Sequence, residues 1–167
     1  MPLNPSTLGS ELANLTPTDS ESGAISAFVG AWDTYFADAS LAGVPANAGS
    51  YGLGLSAMES AMVGMSTTGA MAMQSGIIAF WTAILALPTA IWTLPPPSIP
   101  VPPIVPPLTM AGIAALLTPV FATNVTTEAD AALAWQNIAT VLHTNGGIGA
   151  LVPVQVPPAA PIPMPIL

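Results

Sequence analysis

Neither lysine nor arginine occurs in this chain of 167 residues, and its eight carboxylates leave a formal net charge of −8. The only cationic groups left are His143 and the terminal amine, so an intrachain network of ion pairs is excluded. Nucleic-acid binding is excluded with it, because affinity for phosphate backbones is dominated by the counterions that cationic side chains displace. Cysteine is absent as well, which removes disulfides, thiol nucleophiles and thiolate metal sites. Charged residues, all of them acidic, make up 5% of the chain, where an ordinary soluble domain carries about 25%.

The few charges are unevenly placed. Glu11, Asp19, Glu21, Asp33 and Asp38 fall in the first 38 residues, and none occurs in the 68 residues between Glu59 and Glu128. Asp19, Glu21, Asp33 and Asp38 are therefore candidates to meet basic residues of a partner, and the middle of the chain is the candidate buried part. The N-terminus lacks the basic and apolar regions of a secretory signal, from which synthesis in a cytoplasm without Sec export is expected.

What the chain does hold is apolar. Hydrophobic residues are 52% of it and the mean hydropathy is +0.70, a composition that implies a surface covered by lipid or by other protein. The length suits a single domain.

Helical periodicity is clearest after Thr18-Asp19-Ser20-Glu21, a sequence in which Thr18 and Glu21 are spaced as a capping box. Ile25, Phe28, Val29, Trp32, Tyr35, Phe36 and Ala39 then recur every three or four residues, predicting an amphipathic helix from about Ser20 to Leu41. A second helix is expected from about Tyr51 through the methionine-rich stretch, with Met58, Met62 and Met65 on one face. Ser56, Ser60 and Gly64 would form a small-residue face for close helix approach. Gly69, Ser75 and Gly76 are expected to bend or interrupt it.

Residues 76–94 are uncharged and mostly apolar, long enough for a membrane span. Pro88 in their interior and the absence of any basic orienting residue favour a helix buried in a bundle instead. Eight prolines then fall within Pro95–Pro107. Proline fixes φ and lacks the amide donor, so this segment is expected to run as polyproline II rather than helix or central strand. Its remaining residues are mainly Ile99, Val101, Ile104 and Val105, which makes it an apolar strap rather than a solvated linker.

A short helix near Thr109, disturbed by Pro119, is expected next. Thr127-Glu128-Ala129-Asp130 then reads as a capping sequence with acids at a helix N-terminus. That helix would carry Ala131, Trp135, Ile138 and Leu142 inward and end at Asn145-Gly146-Gly147. The tail holds six more prolines and the aliphatic residues Ile162, Met164, Ile166 and Leu167.

No catalytic, cofactor-binding or metal-binding residues emerge. His143 is the single histidine, placed where a protonated imidazole would face a helix C-terminus. The phosphate-binding, dinucleotide-binding and zinc-protease signatures are absent, as is the nucleophile elbow of the hydrolases. An enzyme is not expected.

The order of segments resembles a loose family of small Ala/Pro-rich structural proteins encoded among bacteriophage tail and baseplate genes. The resemblance is carried by AISAFVGAWDTYFADA, GLGLSAMESAMVGMSTTGAMAMQSGIIAFWTA, the proline block, PLTMAGIAALLTPVFATN, AALAWQNIATVLHTNGG and the proline-rich tail. It implies a virion structural protein, assembled in the host cytoplasm and contacting like and unlike chains of the same particle.

The expected architecture is all-α, a helical bundle around Phe28, Trp32, Met62, Phe80, Trp81 and Trp135 with two polyproline II segments. Its parts are an arm (1–17), a helical region (18–94), a strap (95–107), a second helical region (108–146) and a tail (147–167). The interface candidates are Asp19, Glu21, Asp33, Asp38, Ile99, Val101, Ile104, Val105, Ile162, Met164, Ile166 and Leu167. The second functional reading is a membrane-inserted pore or holin-like protein using residues 76–94.

Overall fold

The computed structural model describes residues 3–15, 20–64 and 69–167; Thr18, Asp19 and Met65 lie outside them. Seven α-helices form the bulk of the described chain: α1 (Pro5–Ala13), α2 (Glu21–Phe36), α3 (Gly52–Met62), α4 (Gly69–Ile84), α5 (Pro88–Ile91), α6 (Ile113–Phe121) and α7 (Glu128–Leu142). Two small sheets accompany them. β1 (Ser40–Leu41) pairs with β2 (Val44–Pro45), and β3 (Ile99–Pro100), β4 (Leu151–Gln155) and β5 (Ile162–Pro165) form an antiparallel sheet in that order. The protein is thus predominantly helical rather than strictly all-α.

The expected N-terminal arm contains a helix. Asn4 caps α1 by accepting from the Ser6 amide at 2.9 Å, and Pro5 occupies the first turn, where its missing N–H costs nothing. Leu8 and Leu12 are fully buried, and Gly9 lies so close to Gln136 of α7 that a Cβ there would meet its amide at 2.5 Å.

In α2 the predicted stripe is the buried one: Ile25, Phe28, Trp32, Tyr35 and Phe36 point inward while Asp33 stays exposed. The helix ends at Phe36, five residues earlier than expected, because the chain turns through Ala42 and Gly43, both at positive φ, to form the β1–β2 hairpin. Phe36 sits at the centre of an aromatic cluster, edge-on to Tyr51, Phe80 and Trp81 at centroid distances of 4.9, 4.8 and 5.7 Å. Edge-to-face contacts of this kind add to the burial they bring.

The methionine-rich stretch gives two helices rather than one. α3 and α4 pack against each other at two glycines: a Cβ on Gly54 would lie 2.7 Å from the Phe80 ring, and one on Gly76 would lie 2.9 Å from Met62. The small residues that permit close approach are therefore Gly54 and Gly76, whereas Ser56 and Ser60 are exposed. α4 runs through Ser75 and Gly76 unbroken.

Residues 76–94 do not form one helix. α4 stops at Ile84, and Pro88 begins the short α5 at its N1 position. Among the described residues, no helix is long and apolar enough to cross a membrane. Ile77, Phe80, Trp81, Ile84, Ile91 and Trp92 are all buried in the core.

Pro119 lies inside α6 without ending it. The carbonyl that would bond its missing amide belongs to Ala115, which is exposed. The capping box at α7 forms as expected: Thr127 Oγ1 accepts from the Asp130 amide at 3.1 Å, and Asp130 accepts from the Thr127 amide at 3.0 Å. Ile138 and Leu142 are buried as expected, but Ala131 and Trp135 are only half-buried.

Candidate interaction surface

The two proline-rich segments pair with each other instead of running as isolated polyproline II straps. The register places Pro153 of β4 opposite Pro163 of β5, with Val152 opposite Met164 and Val154 opposite Ile162. The Ile166 amide donates to the Ala150 carbonyl at 3.1 Å, and Leu151 exchanges bonds with Val105 at 2.7 and 2.8 Å. Hydrogen-bonded pairs alternate along an antiparallel ladder. It follows that Met164 and Ile162 turn their amides toward β4, and Pro163 and Pro165 sit where the ladder needs no donor.

Pro153 lies in the central strand, which the proline content seemed to forbid. Its nitrogen points toward β3, and only its carbonyl is used there, accepting from the Val101 amide at 2.7 Å. Proline at every second position is compatible with a strand because one edge of that strand makes all the donations.

The tail also closes on its own body. Ser40 and Leu167 exchange backbone bonds at 2.8 and 2.9 Å, and Ile166 bridges Leu41. Ile104 and Ile166, expected at a partner interface, are each about 1% exposed and belong to the core. Met164 is half-buried against that core. Ile162 is exposed at the end of the sheet, while Ile99, Val105 and Leu167 are exposed and Val101 half-exposed.

Two of the acidic candidates, Glu21 and Asp33, have hydrogen-bond donors within the chain. Glu21 accepts from the Gly64 amide at 2.8 Å, just past the end of α3. Asp33 accepts from the Tyr51 hydroxyl, whose pKa is raised first by burial and then by that carboxylate. Glu59 accepts from Ser26 Oγ at 2.8 Å. Asp38 is half-buried in the turn after α2, and Asp19 lies outside the described residues. With no lysine or arginine to pair with, Glu21, Asp33 and Glu59 are held by N–H and O–H donors.

Exposed hydroxyls are turned inward too. Thr34, Ser60, Thr82 and Thr118 each donate to the carbonyl four residues earlier. The helix surfaces consequently present methyl and methylene groups more than hydrogen-bonding ones.

A polar cluster inside the molecule joins α2, α4 and the turn after α7. Tyr35 and His143 Nδ1 are 2.7 Å apart, and the Trp81 indole donates to the Gly146 carbonyl at 2.6 Å. Burial lowers the His143 pKa and so disfavours the imidazolium expected at the helix end; with the imidazole proton on Nε2, Nδ1 accepts a hydrogen bond from the Tyr35 phenol. Tyr35 is raised by the same desolvation. The pair ties the last turn of α2 to the residue that follows α7. Two shallow grooves of about 300 and 250 Å³ flank α6 and α7; the only ionisable group lining them is Asp130, already committed to its cap.

No family model, curated protein or solved structure matches this chain.

Proposed function

We propose that the chain is a structural subunit of a large protein assembly that acts by apolar packing against neighbouring chains. One observation carries this reading: the outward side of the β3–β4–β5 sheet is aliphatic, where a sheet facing water normally alternates to polar residues. The proline segments serve the chain itself as internal straps, and the outward residues they hold in place are the contact surface. The reading includes no catalytic, cofactor or metal role, and no nucleic-acid partner.

The particle we infer is a bacteriophage virion, its tail or baseplate rather than its capsid, assembled in the host cytoplasm. The segment layout supports this. The membrane-inserted alternative is not favoured, because residues 76–94 divide between two helices around Pro88.

Mass spectrometry of purified virions tests the proposal. Trypsin leaves a chain without lysine or arginine uncut, so chymotrypsin or Glu-C is required. Recovery in fixed stoichiometry with known virion proteins is expected; absence from purified particles would sink the reading.

A further inference from the structure

We propose that Asn145-Gly146 is a spontaneous deamidation site which the fold holds in check, so that opening of the turn between α7 and β4 converts Asn145 irreversibly to a carboxylate. The sequence sets the chemistry. Deamidation begins when the backbone nitrogen of the following residue attacks the asparagine Cγ, and glycine, with no Cβ, leaves that nitrogen unhindered and its backbone free to reach. Asn145 is the one asparagine followed by glycine. The others precede Leu15, Ala48, Val125, Ile138 or Pro5, the last with no amide proton to lose.

In the step itself the Gly146 nitrogen gives up its proton and forms a bond to Cγ, and the side-chain nitrogen leaves as ammonia, carrying that proton. Water then opens the cyclic imide at either carbonyl, giving aspartate or isoaspartate. Nothing is oxidised or reduced, and water is the only co-reactant.

The structure withholds the geometry that this step needs. Residues His143–Gly147 continue α7 as a π turn, closed where the Ile148 amide donates to the His143 carbonyl at 2.9 Å. Side chains on a helical backbone lean toward its N-terminus, and Asn145 does so, donating from Nδ2 to the Val141 carbonyl at 3.0 Å. Cγ is therefore held back along α7, away from the nitrogen that follows. Gly146 is fixed as well: it is buried, its carbonyl accepts from the Trp81 indole at 2.6 Å, and a Cβ on it would lie 2.9 Å from Ile77. Attack at Cγ requires the Val141 bond to break and Gly146 to leave that packing.

The product does not fit back. An aspartate at position 145 has no N–H for the Val141 carbonyl and places a negative charge at a helix C-terminus, the unfavourable end of the dipole. The chain has no lysine or arginine to offset it. An isoaspartate also lengthens the main chain within the turn. Opening is thus recorded permanently where α7 passes into β4.

The inference is independent of particle membership and is tested on the purified full chain. Folded chain and chain unfolded in urea are incubated in the same mildly alkaline buffer. Glu-C cleavage after Glu128, followed by fragment mass spectrometry, reads Asn137 and Asn145 in one peptide. Because only the open fraction reacts, Asn145 should convert on the order of tenfold faster, or more, in urea than in the folded chain. In urea it should also outpace Asn137, and Gly146→Ala, measured where folding is not at issue, should slow it several-fold. Asn145→Asp should lower the midpoint of urea unfolding, and by more than Asn124→Asp in the exposed loop after α6. Equal rates in folded and unfolded chain overturn the proposal, as do equal rates at Asn137 and Asn145 in urea, or a midpoint that Asn145→Asp leaves unchanged.

Discussion

The phenol of Tyr35 and Nδ1 of His143 stand 2.7 Å apart, tying the last turn of α2 to the residue that follows α7. Tyr35 is fully buried, so its hydroxyl depends on that imidazole for an acceptor. Tyr35→Phe should remove this bond and destabilise the fold by ~0.5–1.5 kcal/mol, the usual net worth of a hydrogen bond, since His143 is only half-buried. Urea denaturation would register this as a lower midpoint with an unchanged slope.

The same pair sets a pH dependence. Burial depresses the folded pKa of His143 below its ordinary 6.5, so the unfolded chain takes up the proton first. The stability contribution is complete above pH 6.5 and is lost as pH falls below it, levelling once the folded imidazole is itself protonated. Asp130, lowered from 3.8 by its bonds to Thr127 and Thr126, adds a further loss only below that value. Melting temperature followed against pH should therefore decline in two separate steps, and His143→Gln should remove the upper one alone.

Two glycines should respond in opposite directions to alanine. A Cβ at Gly147 would run into the Tyr35 hydroxyl, whereas one at Gly30, on the exposed side of α2, meets nothing within 4 Å. Gly147→Ala should cost ~1–3 kcal/mol by overpacking. Gly30→Ala should stabilise by ~0.5–1 kcal/mol, because glycine is the poorer residue in a helix interior. Thermal denaturation of the two variants side by side checks both signs.

Ile162 and Ile166 look alike in sequence, each set between or beside prolines of the tail. Only Ile166 is buried, at about 1% exposure, while Ile162 is 65% exposed. Ile166→Ala should therefore cost ~2–5 kcal/mol, and Ile162→Ala should stay within about 0.5 kcal/mol of the parent. Equal effects in denaturant titrations would contradict the register that puts Ile166 against Ala150 and Leu41.

Local patterns were readable wherever a single element set them. The stripe from Ile25 to Phe36 declared a buried helix face, and Thr127 with Asp130 declared a cap, because both depend on residues three or four apart. The pairing of residues 99–105 with 151–155 was not readable in that way, since it joins segments about fifty residues apart and no local period encodes it. A clue was present in Ile162-Pro163-Met164-Pro165-Ile166, whose period of two is that of a strand. The proline content masked it, because proline was weighed by its number rather than by its parity. The internal donors of the carboxylates were not readable for a related reason: Glu21 and Asp33 read as partner-facing charges, and each also finds an N–H or O–H donor within the fold. Self-satisfaction of this kind depends on the α2–α3 packing and leaves no mark on composition.

Parity gives the sharpest test of the proline sheet. Met164 donates its amide toward Val152 and lies between Pro163 and Pro165, which donate nothing. Met164→Pro should strip the ladder of a bond and leave the Val152 carbonyl buried without its partner, at a cost of ~1–3 kcal/mol. Pro165→Ala adds an amide on the outer edge of β5 instead, where water can satisfy it, so folding stability should change by less than about 1 kcal/mol. The added donor, however, reopens an edge that the prolines keep closed to strand addition. Pro165→Ala should thus remain folded by circular dichroism yet aggregate faster than the parent in concentration-dependent light scattering. If Met164→Pro were tolerated as well as Pro165→Ala, the alternation of donors and prolines would not be what allows these segments to form a sheet.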